Sequence, residues 1–104
     1  MRSIMIATTQ MSCSWDRDEN VAKACHLVRE AADQGAQLVV LQELFETPYF
    51  CISIDNKHFK QARPFKNNET IKRIAEVAKE KGVVVPVSFY EVDGESYYNS
   101  LAMI

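Results

Sequence analysis

A chain of 104 residues has room for one modest domain, and 47% hydrophobic with 25% charged residues is an ordinary globular balance. Twelve basic and fourteen acidic residues leave a net charge of -2, so the basic surface that nucleic acid or an anionic membrane would need is not expected. Ile4-Met5-Ile6 is too short for the apolar core of a signal peptide, and no apolar run approaches the length of a membrane span. Cys13, Cys25 and Cys51 are odd in number and lack CxxC spacing, which predicts free thiols in a reducing compartment such as the cytoplasm. His26 and His58 have no partner His or Cys at ligand spacing, so a metal site is not expected.

In chain order, Ser3 to Gln10 reads as a first buried strand. Asp16 with Glu19 three residues on is a capping-box pattern. Val21, Ala24, Cys25, Val28, Ala31 and Ala32 then mark one apolar helical face, which Gly35 would close. Leu38-Val39-Val40-Leu41-Gln42 is a short, nearly all-apolar run, the pattern of a strand buried on both faces. Two strands joined through a helix by short links predict a right-handed parallel crossover.

Glu43 to Asn68 has no sustained period. Its five aromatics (Phe45, Tyr49, Phe50, Phe59, Phe65) argue for an ordered wall around a site, with a short helical piece near His58. Glu69–Lys81 reads as a second helix with Ile71, Ile74, Ala75 and Ala78 on its face, Asn68 as N-cap and Gly82 as stop. Val83 to Tyr90 is a third strand in which Pro86 predicts a bulge or an unpaired position. Val92-Asp93-Gly94-Glu95 carries a hairpin signal, and Tyr97 to Ile104 is a fourth, antiparallel strand.

The expected fold class is therefore α/β, with a mixed four-stranded sheet and two helices on one face. The other face would lack a covering layer. The run Leu101-Ala102-Met103-Ile104 closes without a cap or polar tail, so residues 1–104 are expected to be the N-terminal portion of a larger domain.

Glu43 ends the apolar run, at the sheet rim where open α/β sheets gather their chemistry. Spacing alone leaves it open between a general base and a surface carboxylate. Cys51 lies eight residues later and invites a nucleophile reading, but a small buried hydrophobe is the commoner role of a free cysteine. A Cys51–His58 pair has no better support from sequence proximity. Glu46 fits a carboxylate pair with Glu43, a solvated group or a pocket counter-charge. Tyr49 and Phe50 fit core or ligand contacts, and Lys57, Lys60, Arg63 and Lys66 a solvated face.

Taken together these segments resemble the carbon–nitrogen hydrolase (nitrilase) superfamily. The matching pieces are the strand ending in Gln10, Asn20, Glu30-Ala31-Ala32-Asp33-Gln34-Gly35-Ala36 and Leu38 to Glu43. Many members have proline before the glutamate, where this chain has Gln42. Gln42-Glu43, Leu44-Phe45-Glu46, Tyr49-Phe50-Cys51, Ala62-Arg63-Pro64-Phe65, Pro86 to Glu91 and Tyr98-Asn99-Ser100 are most similar to its branch acting on N-carbamoyl amines. Hydrolases of β-ureido acids share Gln-Glu but match the last two segments less well.

The resemblance implies an αββα sandwich and a Glu-Lys-Cys triad without metal or cofactor. It also implies a small carbamoyl amine substrate and a homo-oligomer. It gives Glu43 the role of general base and Tyr49 that of a substrate contact. The triad lysine and cysteine would lie beyond Ile104, which makes Cys51 a structural thiol and predicts that these residues alone are inactive. A non-catalytic interaction module is the alternative from another class.

Overall fold

The computed structural model describes residues 2–52 and 55–104, so Met1, and Ser53 and Ile54 of the predicted wall, lie outside the described residues. The elements are β1 (Ile6–Thr8), α1 (Arg17–Asp33), β2 (Leu38–Val40), 3-10 turns at Phe50–Ile52 and Asn56–Gln61, α2 (Glu69–Lys81), β3 (Pro86–Asp93) and β4 (Ser96–Met103). Their order is the expected β-α-β-α-β-β, and the turn at Asn56–Gln61 is the helical piece expected near His58.

Both helices begin and end where their sequences direct. The Asp16 side chain accepts from Glu19 N at 3.1 Å. The Asp16 N–H turns instead to Ser14 Oγ at 3.1 Å, so only half of the capping box forms. Gly35 follows the helix at φ 102°, a conformation that a side chain would strain. In α2 the Asn68 side chain accepts from Ile71 N, and Gly82 closes the helix at φ 64°. Val21, Ala24, Cys25 and Val28 of α1 meet Ile74, Val77 and Ala78 of α2 and Val39, Val85 and Val87 of the strands in one core cluster. Val77, absent from the expected face, is buried, whereas Ala75 is only half-buried. Full burial of each valine or isoleucine contributes roughly 1.5–3 kcal/mol.

The single four-stranded sheet is not what forms. β1 pairs with β2 in parallel and β3 with β4 antiparallel, giving two two-stranded sheets joined by one bridge, Leu38 to Val84. Pro86 supplies the physical reason. At the bridge Val84 N donates to Gln37 O and Val39 N donates to Val84 O, each at 2.9 Å. The next rung of a parallel ladder would need the N–H of Pro86, which proline lacks. On its other edge Pro86 pairs with Met103 in regular register, so of the two expected outcomes the bulge is absent and the unpaired position, toward β2, is present.

The strands are also less buried than their apolar runs suggested. Ala7, Val39, Val85, Val87 and Phe89 turn toward the helices. Ile6, Leu38 and Val40 lie on the opposite face, paired by the register Ile6 to Leu38 and Thr8 to Val40. That face is open: Ile4, Ile6, Val84, Leu101 and Met103 are all exposed. β1 is thus an exposed strand rather than a buried one, and β2 buries only Val39 fully.

Candidate active site

The chain leaves β2 at Val40 and makes a sharp turn within four residues. Leu44 adopts φ 50°, a left-handed conformation that costs a branched residue about 1–2 kcal/mol. Its N–H donates to Ser88 Oγ of β3 at 2.9 Å, which holds the turn in place. The turn separates Glu43 from the buried residues that follow it. Phe45 is wholly buried and Glu46 nearly so, whereas Glu43 stays exposed.

Glu46 is the hub of the buried side. Its carboxylate takes an ion pair from Arg17 of α1 and a 2.6 Å hydrogen bond from Thr70 Oγ1 of α2. Arg17 also donates to Gln61 O at 2.6 Å, which draws in the second 3-10 turn. Asn20, fully buried, donates to Glu46 O at 2.8 Å and to Ser14 O at 2.7 Å, and accepts from Ser14 N at 3.0 Å. Buried rather than solvated, Glu46 is paired with Arg17 instead of Glu43.

Gln42 anchors the other flank of the turn. Its Oε1 accepts from Met11 N at 2.9 Å, and its Nε2 donates to Cys13 Sγ at 3.4 Å. The Cys13 thiol in turn donates to Phe45 O at 3.2 Å, and burial pushes its pKa up. A proline at position 42 could make none of these side-chain bonds.

Glu43 projects over the open face. Asn99 of β4 donates from Nδ2 to Glu43 Oε1 at 2.5 Å. The Tyr49 phenol lies close enough that the Glu43 charge, first among its influences, raises its pKa. Cys51 is exposed in the first 3-10 turn, which corrects the buried-hydrophobe reading. It neighbours Tyr49 and Tyr90, and its charge contributes to the raised pKa of both phenols after larger causes. His58 is sandwiched between Trp15 (ring centroids 5.6 Å) and Phe50 (5.0 Å). Rings continue from Phe50 to Tyr90 at 5.1 Å, Tyr90 to Tyr97 at 5.9 Å and Tyr97 to Phe59 at 4.5 Å. The irregular segment is therefore an aromatic wall, but Glu43 stands exposed beside it rather than inside a cleft. Lys57, Lys60, Arg63 and Lys66 are exposed, as a solvated face requires.

Among the described residues no group of three His, Cys, Asp or Glu side chains gathers into a metal-binding cluster, and no helix is long and apolar enough to cross a membrane.

Helices packed on parallel and antiparallel strands, with an exposed carboxylate just beyond β2, make this a mixed α/β protein, and comparison narrows the class. Residues 5–104 match the carbon-nitrogen hydrolase family model, and the chain belongs to that family. It is 48% identical over 103 residues to the N-carbamoylputrescine amidase of Arabidopsis thaliana, covering 99% of this chain and 34% of the relative. It is 35% identical over 104 residues to the citrullinase of Francisella tularensis, covering 100% of this chain and 36% of that protein. The crystal structure of a carbon-nitrogen hydrolase from Helicobacter pylori G27 superposes with a TM-score of 0.84 at 27% identity, over 96% of this chain and 35% of that one. The chain thus spans about a third of the length of the curated relatives it matches.

Proposed function

We propose that these residues are the N-terminal portion of an amidase that hydrolyses N-carbamoylputrescine to putrescine, carbon dioxide and ammonia, with Glu43 as its general base. The observation that carries the reading is the placement of Glu43. It is the exposed carboxylate of its turn, bonded by a neutral amide and not by a cation that would neutralise it. The substrate assignment takes its support from the 48% identity to the Arabidopsis thaliana enzyme.

In this mechanism Glu43 accepts the proton of a cysteine thiol supplied by chain beyond Ile104. The thiolate attacks the carbamoyl carbon, and the collapsing tetrahedral adduct expels ammonia with a proton returned from Glu43. Water, deprotonated by the same carboxylate, then cleaves the acyl-cysteine bond and restores the thiol. The released carbamic acid breaks down to carbon dioxide and the amine. A lysine, also from outside these residues, stabilises the oxyanion, a contribution on the order of 3 kcal/mol. Tyr49, held beside Glu43, contacts the substrate. The open apolar face becomes an inner layer of an αββα sandwich, and the enzyme acts as a homo-oligomer in the cytoplasm, without metal or cofactor.

Ammonia release from N-carbamoylputrescine tests the reading. The full-length protein is expected to turn it over faster than citrulline or a β-ureido acid, and the 104-residue chain alone to release none. A preference for either competitor, or activity of the short chain, refutes the corresponding part.

A further inference from the structure

We propose that Asn99 is a positioning residue for the reaction, its side-chain amide fixing one oxygen of Glu43 so that the other points at the proton to be taken. The proposal rests on the reading of Glu43 as general base. The two residues are 56 positions apart and come from different elements, yet Asn99 Nδ2 lies 2.5 Å from Glu43 Oε1. Only the amide nitrogen can make this bond, since a carboxylate accepts and the amide oxygen cannot donate.

Both ends of the contact are referenced to the same hairpin. Asn99 lies opposite Tyr90 within the eight-residue β3–β4 register. Glu43 precedes Leu44, whose N–H is tied to Ser88 Oγ of β3, and Ser88 lies opposite Leu101. Backbone and side chain of this segment are therefore held from two rungs of one ladder, with the Phe89–Ser100 rung between them. An exposed hydrogen bond of this kind adds little to stability, so the consequence of the contact is orientation. The donor's neutrality matters as well. A lysine or arginine there would stabilise the ionised carboxylate and weaken it as a base, whereas an amide orients it at far smaller cost to basicity.

The other groups facing Glu43 are the Tyr49 phenol and, beside it, the Cys51 thiol. The test is made in the full-length enzyme with Asn99→Ala and the nearly isosteric Asn99→Asp. Asn99→Ala should lower kcat about 10- to 100-fold with KM changed less than about threefold, the signature of lost alignment. Asn99→Asp sets a like charge against Glu43 and should move the acidic limb of the kcat/KM pH profile upward by about one unit. Carboxyl carbon NMR, read as a difference from Glu43→Gln, should show the same upward move without depending on turnover. An unmoved Glu43 titration in Asn99→Asp, or full kcat in Asn99→Ala, overturns the proposal. An enzyme inert toward amides whose Glu43 titration still responds to Asn99 overturns the amidase reading instead.

Discussion

Glu43 and Glu46 sit three residues apart on one turn and live in opposite surroundings. Glu46 is taken out of water and matched by the Arg17 cation of α1 and the Thr70 hydroxyl of α2, while Arg17 also reaches the second 3-10 turn. Glu43 is left in solvent with one amide on one oxygen. A buried carboxylate whose Oε2 is shared by a cation and a hydroxyl joins elements. A carboxylate bound from one side keeps a free lone pair in a fixed direction. The left-handed Leu44 between them separates the two fates, because it reverses the chain before Phe45 enters the core.

This contrast can be broken one residue at a time, in the full-length protein. Glu43→Gln should lower kcat about a thousandfold, within the range of a lost general base, while moving the urea midpoint by no more than about 0.5 kcal/mol of stability. Glu46→Gln should do the reverse, costing about 2–3 kcal/mol in urea unfolding. The figure is below that of a fully buried pair because the Arg17 side chain is 22% exposed. Asn20→Ala strips the Glu46 and Ser14 carbonyls of their donor and should cost about 2 kcal/mol by the same measurement. The N-cap change Asn68→Ala, next to the Thr70 that serves Glu46, should cost about 1 kcal/mol. The smallest effect sharpens the exposed side: Glu43→Gln removes the charge that raises Tyr49, so phenolate absorbance for that residue should emerge at lower pH. Equal stability losses from Glu43→Gln and Glu46→Gln would erase the distinction between the two sites.

Local signals carried the helices and their caps. Asn68 and Gly82 bound α2 where expected, because capping uses neighbours within a few residues. Burial of the strands was less legible, since an apolar run says that a strand is suited to two covered faces and not that both are covered here. Pro86 was visible as a break, but whether it interrupts β4 or β2 depends on which edge its missing N–H faces. For the site, the resemblance pointed to Glu43 and Tyr49, which the structure brings together. The roles of Glu46 and Asn99 were hidden, because their partners Arg17, Thr70 and Glu43 lie 24 to 56 residues away. The exposure of Cys51 follows from the path of an irregular segment, which no periodicity encodes.

Pro86 has one more effect. By withholding a single hydrogen at the rung after Val84, it keeps β2 and β3 from zipping together toward their carboxyl ends. The strands part there, and the turn carrying Glu43 and Leu44 occupies the gap, where Ser88 receives its backbone. The gap that receives this turn thus begins at an atom that proline does not have.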